Sequence, residues 1–140
     1  MLGDARLSLE REPSQQFSLL MLDAFSGDAI PAHLLTREAF EIYQQHVQPD
    51  GVIAVHISNR HVDLVPVVRG LAERFQWHMR LLRSACEPEN WVYPSHLVLL
   101  TRNAAFLEDS VVQEDGGGDP PSSTVVLWTD QYSNLFRLLK

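Results

Sequence analysis

Cysteine is all but missing: Cys86 is the single thiol among 140 residues. That excludes an internal disulfide framework and points to a reducing compartment, the cytoplasm. Basic side chains are also few, eleven against eighteen acids, for a formal net charge of −7. Nucleic-acid binding needs a basic stripe to neutralise phosphates, so a cationic partner suits this chain better. No apolar run reaches the roughly 18 residues that span a bilayer. The opening MLGDARLSLEREPSQQ lacks the basic start, apolar centre and small-residue cleavage site of a signal peptide. Internal repeats are absent as well. What remains is 45% hydrophobic and 21% charged, too apolar for a disordered chain. The length suits one ordinary domain burying roughly two thirds of its unfolded surface.

The first ordered element is FSLLML, Phe17 to Leu22. Apolar on both alternating faces and stopped by Asp23, it predicts a strand buried on both sides. A helix follows: Thr36 is placed to cap it, Glu38 favours its positive end, and Ala39, Phe40, Tyr43 and Val47 recur at helical spacing. After the turn Pro49-Asp50-Gly51, the β-branched run Val52 to Ile57 predicts a second buried strand. A second helix has Asp63 as cap and Pro66 in its first turn, with Val65, Val68, Leu71, Ala72 and Phe75 on one face. Met79 to Leu82 and Leu97 to Leu100 read as further strands, separated by a loop containing Pro88 and Pro94.

Residues 108–124 are acidic and then rich in glycine and proline, GGGDPPSS, and read as a mobile loop. Order resumes at Val125 to Trp128 and ends in a short helix from Gln131, capped by Thr129 or Asp130. Alternating strands and helices predict parallel α/β architecture. Right-handed crossovers place both helices on one face if strands are added in one direction. The other face is then short of cover, and the sequence reads as half of a domain.

In open α/β sheets, ligands bind beyond the carboxyl ends of the strands. Two segments fall there: Asp23 to Asp28 after the first strand, and Ser58-Asn59-Arg60-His61 after the second. Asp23 stands at a strand end against a low-dielectric wall, where a carboxylate can attract a cation, accept a proton or orient a neighbour. The plainer reading is that Asp23 and Asp28 start a turn and cap a helix. The six histidines form no H-x-H or H-E-x-x-H pattern, so no metal site is expected. His56 reads as a core histidine, and Cys86 as an inert thiol. Ser26-Gly27 lacks the G-x-S-x-G pattern of a nucleophile elbow. Trp91 and Tyr93 could line a pocket or cover a sheet edge.

The runs LDAFSGDAIPAHLLT, GVIAVHISNR and WTDQYSNL together resemble the spermidine synthase-like aminopropyltransferases. The likeness is nearest to a bacterial subgroup often fused to a transporter-like membrane region. It extends from Gly3-Asp4-Ala5 to Leu135. The resemblance implies a Rossmann-like methyltransferase fold, mostly parallel sheet with flanking helices. It implies transfer of an aminopropyl group from decarboxylated S-adenosylmethionine, a co-substrate rather than a tightly bound cofactor, to an amine such as putrescine. Asp23 maps onto the family's catalytic aspartate, which holds the amine and takes its proton. Asp4, with Ala5 beside it, maps onto the adenine-contacting segment. Asp28 is the nearest match to the acid that binds the diamine, at a longer spacing and without the usual Asp-Pro pair.

The family's glycine-rich loop and ribose-binding acid lie N-terminal to the segment matching Gly3. The resemblance therefore implies that residues 1–140 are a single partial domain, the C-terminal half of the fold. Such a half leaves a long sheet edge and an apolar face bare, and homo-oligomerisation through that edge is the expectation. Two alternatives remain at this point: an adenosyl-binding methyltransferase-fold protein with another acceptor, and a non-catalytic interaction domain.

Overall fold

The computed structural model describes residues 4–23, 31–84, 89, 94–114 and 124–140. Two parallel strands begin the sheet, β1 (Phe17–Leu22) and β2 (Val47–His56), in register from Leu19↔Val52 to Leu22↔Val55. The chain passes between them through a 3-10 turn (Ala32–Leu34) and helix α2 (Arg37–His46). Thr36 caps α2 as expected, its Oγ1 accepting from Ala39 N–H at 3.3 Å. The expected turn at Pro49-Asp50-Gly51 is taken up as an irregularity at the start of β2. Phe17 pairs with Val47, whereas Leu19 pairs with Val52.

Helix α3 (Val65–Phe75) follows β2, with Pro66 in its first turn and Asp63 Oδ1 accepting from Val65 N–H at 3.0 Å. Strands β3 (His78–Arg83) and β4 (His96–Thr101) complete a sheet ordered β1-β2-β4-β3. The expectation of mostly parallel pairing is corrected here. β4 runs antiparallel to both of its neighbours, so the sheet is mixed and only β1 and β2 pair in parallel. The sequence of the connection suits this: residues 84–95 between β3 and β4 contain Pro88 and Pro94, a poor sequence for the crossover helix that parallel neighbours need.

The core lies between the sheet and α2 with α3, where Phe40, Tyr43, Val67, Val68 and Leu71 meet Ile53, Val55, Val98 and Leu100. Each such side chain contributes about 1.5–3 kcal/mol by burial. The opposite face has thinner cover, from α4 (Ala104–Leu107) and α5 (Ser110–Glu114). There Leu107 and Val112 pack on Val52, Ala54 and Leu99. That cover stops short of β1. Leu20 and Leu22 turn into the core, but Leu19 and Met21 are 55% and 52% exposed, so β1 is not buried on both sides. It is an edge strand with one bare apolar face.

Other departures concern short elements. Residues 4–11 contain a helix, α1 (Ala5–Arg11), that packs on α2. Residues 110–114, read as loop, form α5; the remainder of that segment, 115–123, lies outside the described residues. Val125 to Leu127, where order resumes, takes no regular secondary structure. It lies along α3, with Val126 N–H donating to the Pro66 carbonyl at 3.0 Å, and delivers Trp128 into full burial. In place of a helix from Gln131, Thr129 and Tyr132 close a tight turn, and a 3-10 turn forms at Phe136–Leu138. Among the described residues no helix is long and apolar enough to cross a membrane.

Candidate functional site

The register of the two parallel strands, β1 and β2, brings the site together. Leu22 is paired with Val55, so the next residue of each strand, Asp23 and His56, emerges side by side at the carboxyl end of the sheet. His56 Nδ1 lies 2.8 Å from Asp23 Oδ1, and His56 Nε2 lies 2.7 Å from Ser58 Oγ. Ser58 is held in turn from β4, since its Oγ accepts from His96 N–H at 2.7 Å. Ile57 N–H donates to the His96 carbonyl at 2.9 Å, which fastens the same corner.

Carboxylate, imidazole and hydroxyl in this order match the groups of a hydrolytic triad. The exposures set the direction of the chemistry. The Asp23 side chain is 58% exposed and that of His56 25%, while Ser58 lies part-buried beneath β4. The group a solute meets is the carboxylate. An anion at that place can hold a cation and accept a proton from it. Beside Ser58 opens a cleft of about 190 Å³ lined by Ile57, Asp63, Arg83, His96 and Lys140 among others. Burial, with the positive charges of Arg83 and Lys140, depresses the pKa of His96 and favours its neutral ring.

Asp4 occupies a different place. Its Oδ1 accepts from Leu7 N–H at 3.0 Å as the N-cap of α1, and its Oδ2 lies 2.8 Å from His33 Nε2. The Leu7 N–H, helped by His33, holds the Asp4 carboxyl below its usual range. Ala5, the first residue of α1, is exposed. The sequence pointed to Asp4 and Asp23 as partners in one reaction. Among the described residues they are bound into separate pairs, Asp4 with His33 and Asp23 with His56. Asp28, Ser26, Gly27, Cys86, Trp91 and Tyr93 lie outside the described residues.

The terminal motif forms a clamp. Asp130 receives two hydrogen bonds from Arg6, at 2.7 and 2.5 Å, and one from Thr36 Oγ1 at 2.8 Å. Its own N–H donates to Glu38 Oε2 at 3.0 Å. The Arg6 guanidinium holds the Asp130 carboxyl below its usual range. This network ties α1 and the start of α2 to the segment after Trp128, a structural task. No three His, Cys, Asp or Glu side chains converge as metal ligands among the described residues.

From the sequence, His56 reads as a core histidine. The signal that points elsewhere is its position: a histidine ending one parallel strand, beside a strand whose next residue is an aspartate. That pairing requires the register, which the sequence alone does not supply.

No family model matches the chain. A polyamine aminopropyltransferase of Vibrio vulnificus (strain CMCP6) is 38% identical to it over 56 residues, 39% of this chain and 19% of the relative. The crystal structure of a probable spermidine synthase from Corynebacterium glutamicum ATCC 13032 superposes with a TM-score of 0.61 at 20% identity. That match covers 96% of this chain and 55% of the other. The chain is thus similar to an aminopropyltransferase over part of its sequence and to a spermidine synthase over most of its fold. MNMC2 from Aquifex aeolicus shares the fold more distantly, with a TM-score of 0.50 at 19% identity over 74% of this chain and 30% of its own. The chain spans about half of the solved synthase, and its aligned stretch about a fifth of the curated relative. The α/β sheet with helices, expected from the alternation of elements, is that of the synthase neighbour.

Proposed function

We propose that this chain is one half of an aminopropyltransferase domain, and that Asp23 is its catalytic base. The observation that carries the reading is the exposed Asp23 carboxylate at the carboxyl end of β1, gripped from behind by His56. An alkyl amine such as putrescine is cationic near neutral pH and cannot attack while protonated. A carboxylate beside it binds the ammonium, then accepts a proton as the nitrogen becomes a nucleophile. The nitrogen attacks the carbon attached to the sulfonium of decarboxylated S-adenosylmethionine. A C–N bond forms, the C–S bond breaks, and its electron pair neutralises the sulfur, leaving methylthioadenosine. The proton passes from nitrogen to Asp23 and on to solvent.

Asp4 is the residue this reading assigns to the adenine amino group, with Ala5 beside it. Its two oxygens already accept from Leu7 and His33. A carboxylate has about four acceptor positions, so an amino donor can add to those bonds without displacing them. Asp28 is assigned to the far ammonium of a diamine. The net charge of −7 suits a polycationic substrate.

The test offers decarboxylated S-adenosylmethionine with a panel of mono- and diamines, and in parallel S-adenosylmethionine with the same acceptors. Products are read by mass. Aminopropylated diamine with release of methylthioadenosine supports the reading. Methylated product instead assigns the chain to methyl transfer. No product and no binding of methylthioadenosine would leave the interaction-domain reading standing in its place.

A further inference from the structure

Beyond Asp23 itself, we propose that His56 and Ser58 form a positioning relay that fixes the orientation of the Asp23 carboxylate. The inference rests on the transferase reading for its consequence, but its geometry stands apart from it. The direction of each hydrogen bond follows from the two ends of the chain of contacts. The ionised Asp23 carboxylate can only accept, so His56 Nδ1–H donates to its Oδ1 at 2.8 Å. A neutral imidazole with its hydrogen on Nδ1 has Nε2 as acceptor. Ser58 Oγ–H therefore donates to Nε2 at 2.7 Å, and a lone pair of the same oxygen accepts from His96 N–H at 2.7 Å. The carboxylate after β1 thus sets the tautomer of a histidine on β2, and a main-chain donor on β4 holds the hydroxyl that completes it.

The consequence is a base with one oxygen held and the other turned to its substrate. Asp23 follows the last residue of β1 and is 58% exposed. Without a partner its χ1 and χ2 would sample several rotamers. A base displaced by about an ångström loses on the order of 10²-fold in rate. His56 contributes by orientation and touches no reacting atom.

Two measurements test the relay. Nitrogen-15 spectra of the imidazole, recorded where the ring is neutral, are expected to show the Nδ1–H form for His56 in the unaltered chain. Ser58→Ala is expected to shift that population toward Nε2–H. In the transfer assay, His56→Ala is expected to lower kcat by about 10–100-fold with little change in KM for the amine. His56→Asn is expected to recover most of the loss, since its amide sits as many bonds from Cβ as Nδ1 does. His56→Gln, whose amide corresponds to Nε2, is expected to recover little. An Nε2–H ring in the unaltered chain, or full kcat in His56→Ala, overturns the relay. An Nδ1–H ring in a chain that transfers nothing supports the relay's hydrogen bonds and overturns the transferase reading instead.

Discussion

Gly70 offers a worked test of how the C-terminal segment is held. It lies in the middle of α3, where alanine ordinarily gains about 1 kcal/mol of helix stability over glycine. Here an added Cβ would stand 2.3 Å from the Val126 carbonyl oxygen and 2.8 Å from its carbon. Ordinary contact needs the segment to recede by about an ångström. It has little freedom to do so, because Val126 N–H is bonded to the Pro66 carbonyl one turn earlier on α3 and Trp128 is fully buried two residues on. Overpacking against backbone belongs at the upper end of the usual range of about 1–3 kcal/mol. Offset by the helix gain, Gly70→Ala is expected to cost about 2 kcal/mol. For a chain of this size that lowers Tm by about 6–10 °C. Thermal and urea unfolding followed by circular dichroism measure it. Glu73→Ala, exposed on the same helix, serves as control and is expected to stay within about 0.5 kcal/mol of the parent. A Gly70→Ala chain as stable as its parent would show that Val126 does not lie on α3, and the seating of Trp128 would fall with it.

Three further outcomes are expected. Asp130→Asn removes the charge from the clamp and leaves Arg6, 16% exposed, without its carboxylate. Because Asp130 is itself 40% exposed, screening limits the cost to about 1–2 kcal/mol, measured by urea unfolding; an unchanged midpoint would refute it. Acid should act through the same group and through Asp4. Both carboxyls sit below their usual pKa in the folded chain, Asp130 through Arg6 and Asp4 through the Leu7 N–H. Their contribution is complete above the unfolded value of about 3.9 and is lost as pH falls through the depressed folded values. Stability measured from pH 7 to pH 2.5 should therefore fall at the acid end, and less so in Asp130→Asn; equal slopes would contradict the assignment. Finally, β1 presents an open edge with Leu19 and Met21 exposed beside it. Self-association that rises with concentration is expected by sedimentation velocity and should weaken in Leu19→Lys/Met21→Lys; a chain monomeric throughout would refute it.

Much of the frame was legible because it depends on local signals. Thr36, Pro66 and the spacing of Phe40, Tyr43, Val68 and Leu71 locate α2 and α3 from the sequence alone. Four apolar runs locate the four strands. Pairing was less legible. Nothing in Leu97 to Leu100 says that β4 enters antiparallel between β2 and β3, since a buried run looks the same in either direction. The bare face of β1 was hidden for a related reason: FSLLML is apolar on both faces, and only the extent of α4 and α5 decides which face is covered. That order resumes at Val125 to Trp128 was legible, but not its form: Gly70 lets the backbone of Val126 approach α3 closely. The position of Asp23 at the carboxyl end of β1 was legible from the apolar run before it. His56 was not, because its meaning comes from a register set between two strands. Asp4 is singled out only by resemblance, as an adenine contact, and the structure places it as the N-cap of α1.

The central claim is that Asp23 takes the proton from a cationic amine. Its most direct test is methylthioadenosine release from decarboxylated S-adenosylmethionine and putrescine by the unaltered chain and by Asp23→Asn, with calorimetric titration of methylthioadenosine on both. The account expects the two chains to bind the nucleoside equally and Asp23→Asn to lose amine transfer by about 10²–10⁴-fold. Transfer at an unchanged rate in Asp23→Asn would contradict it.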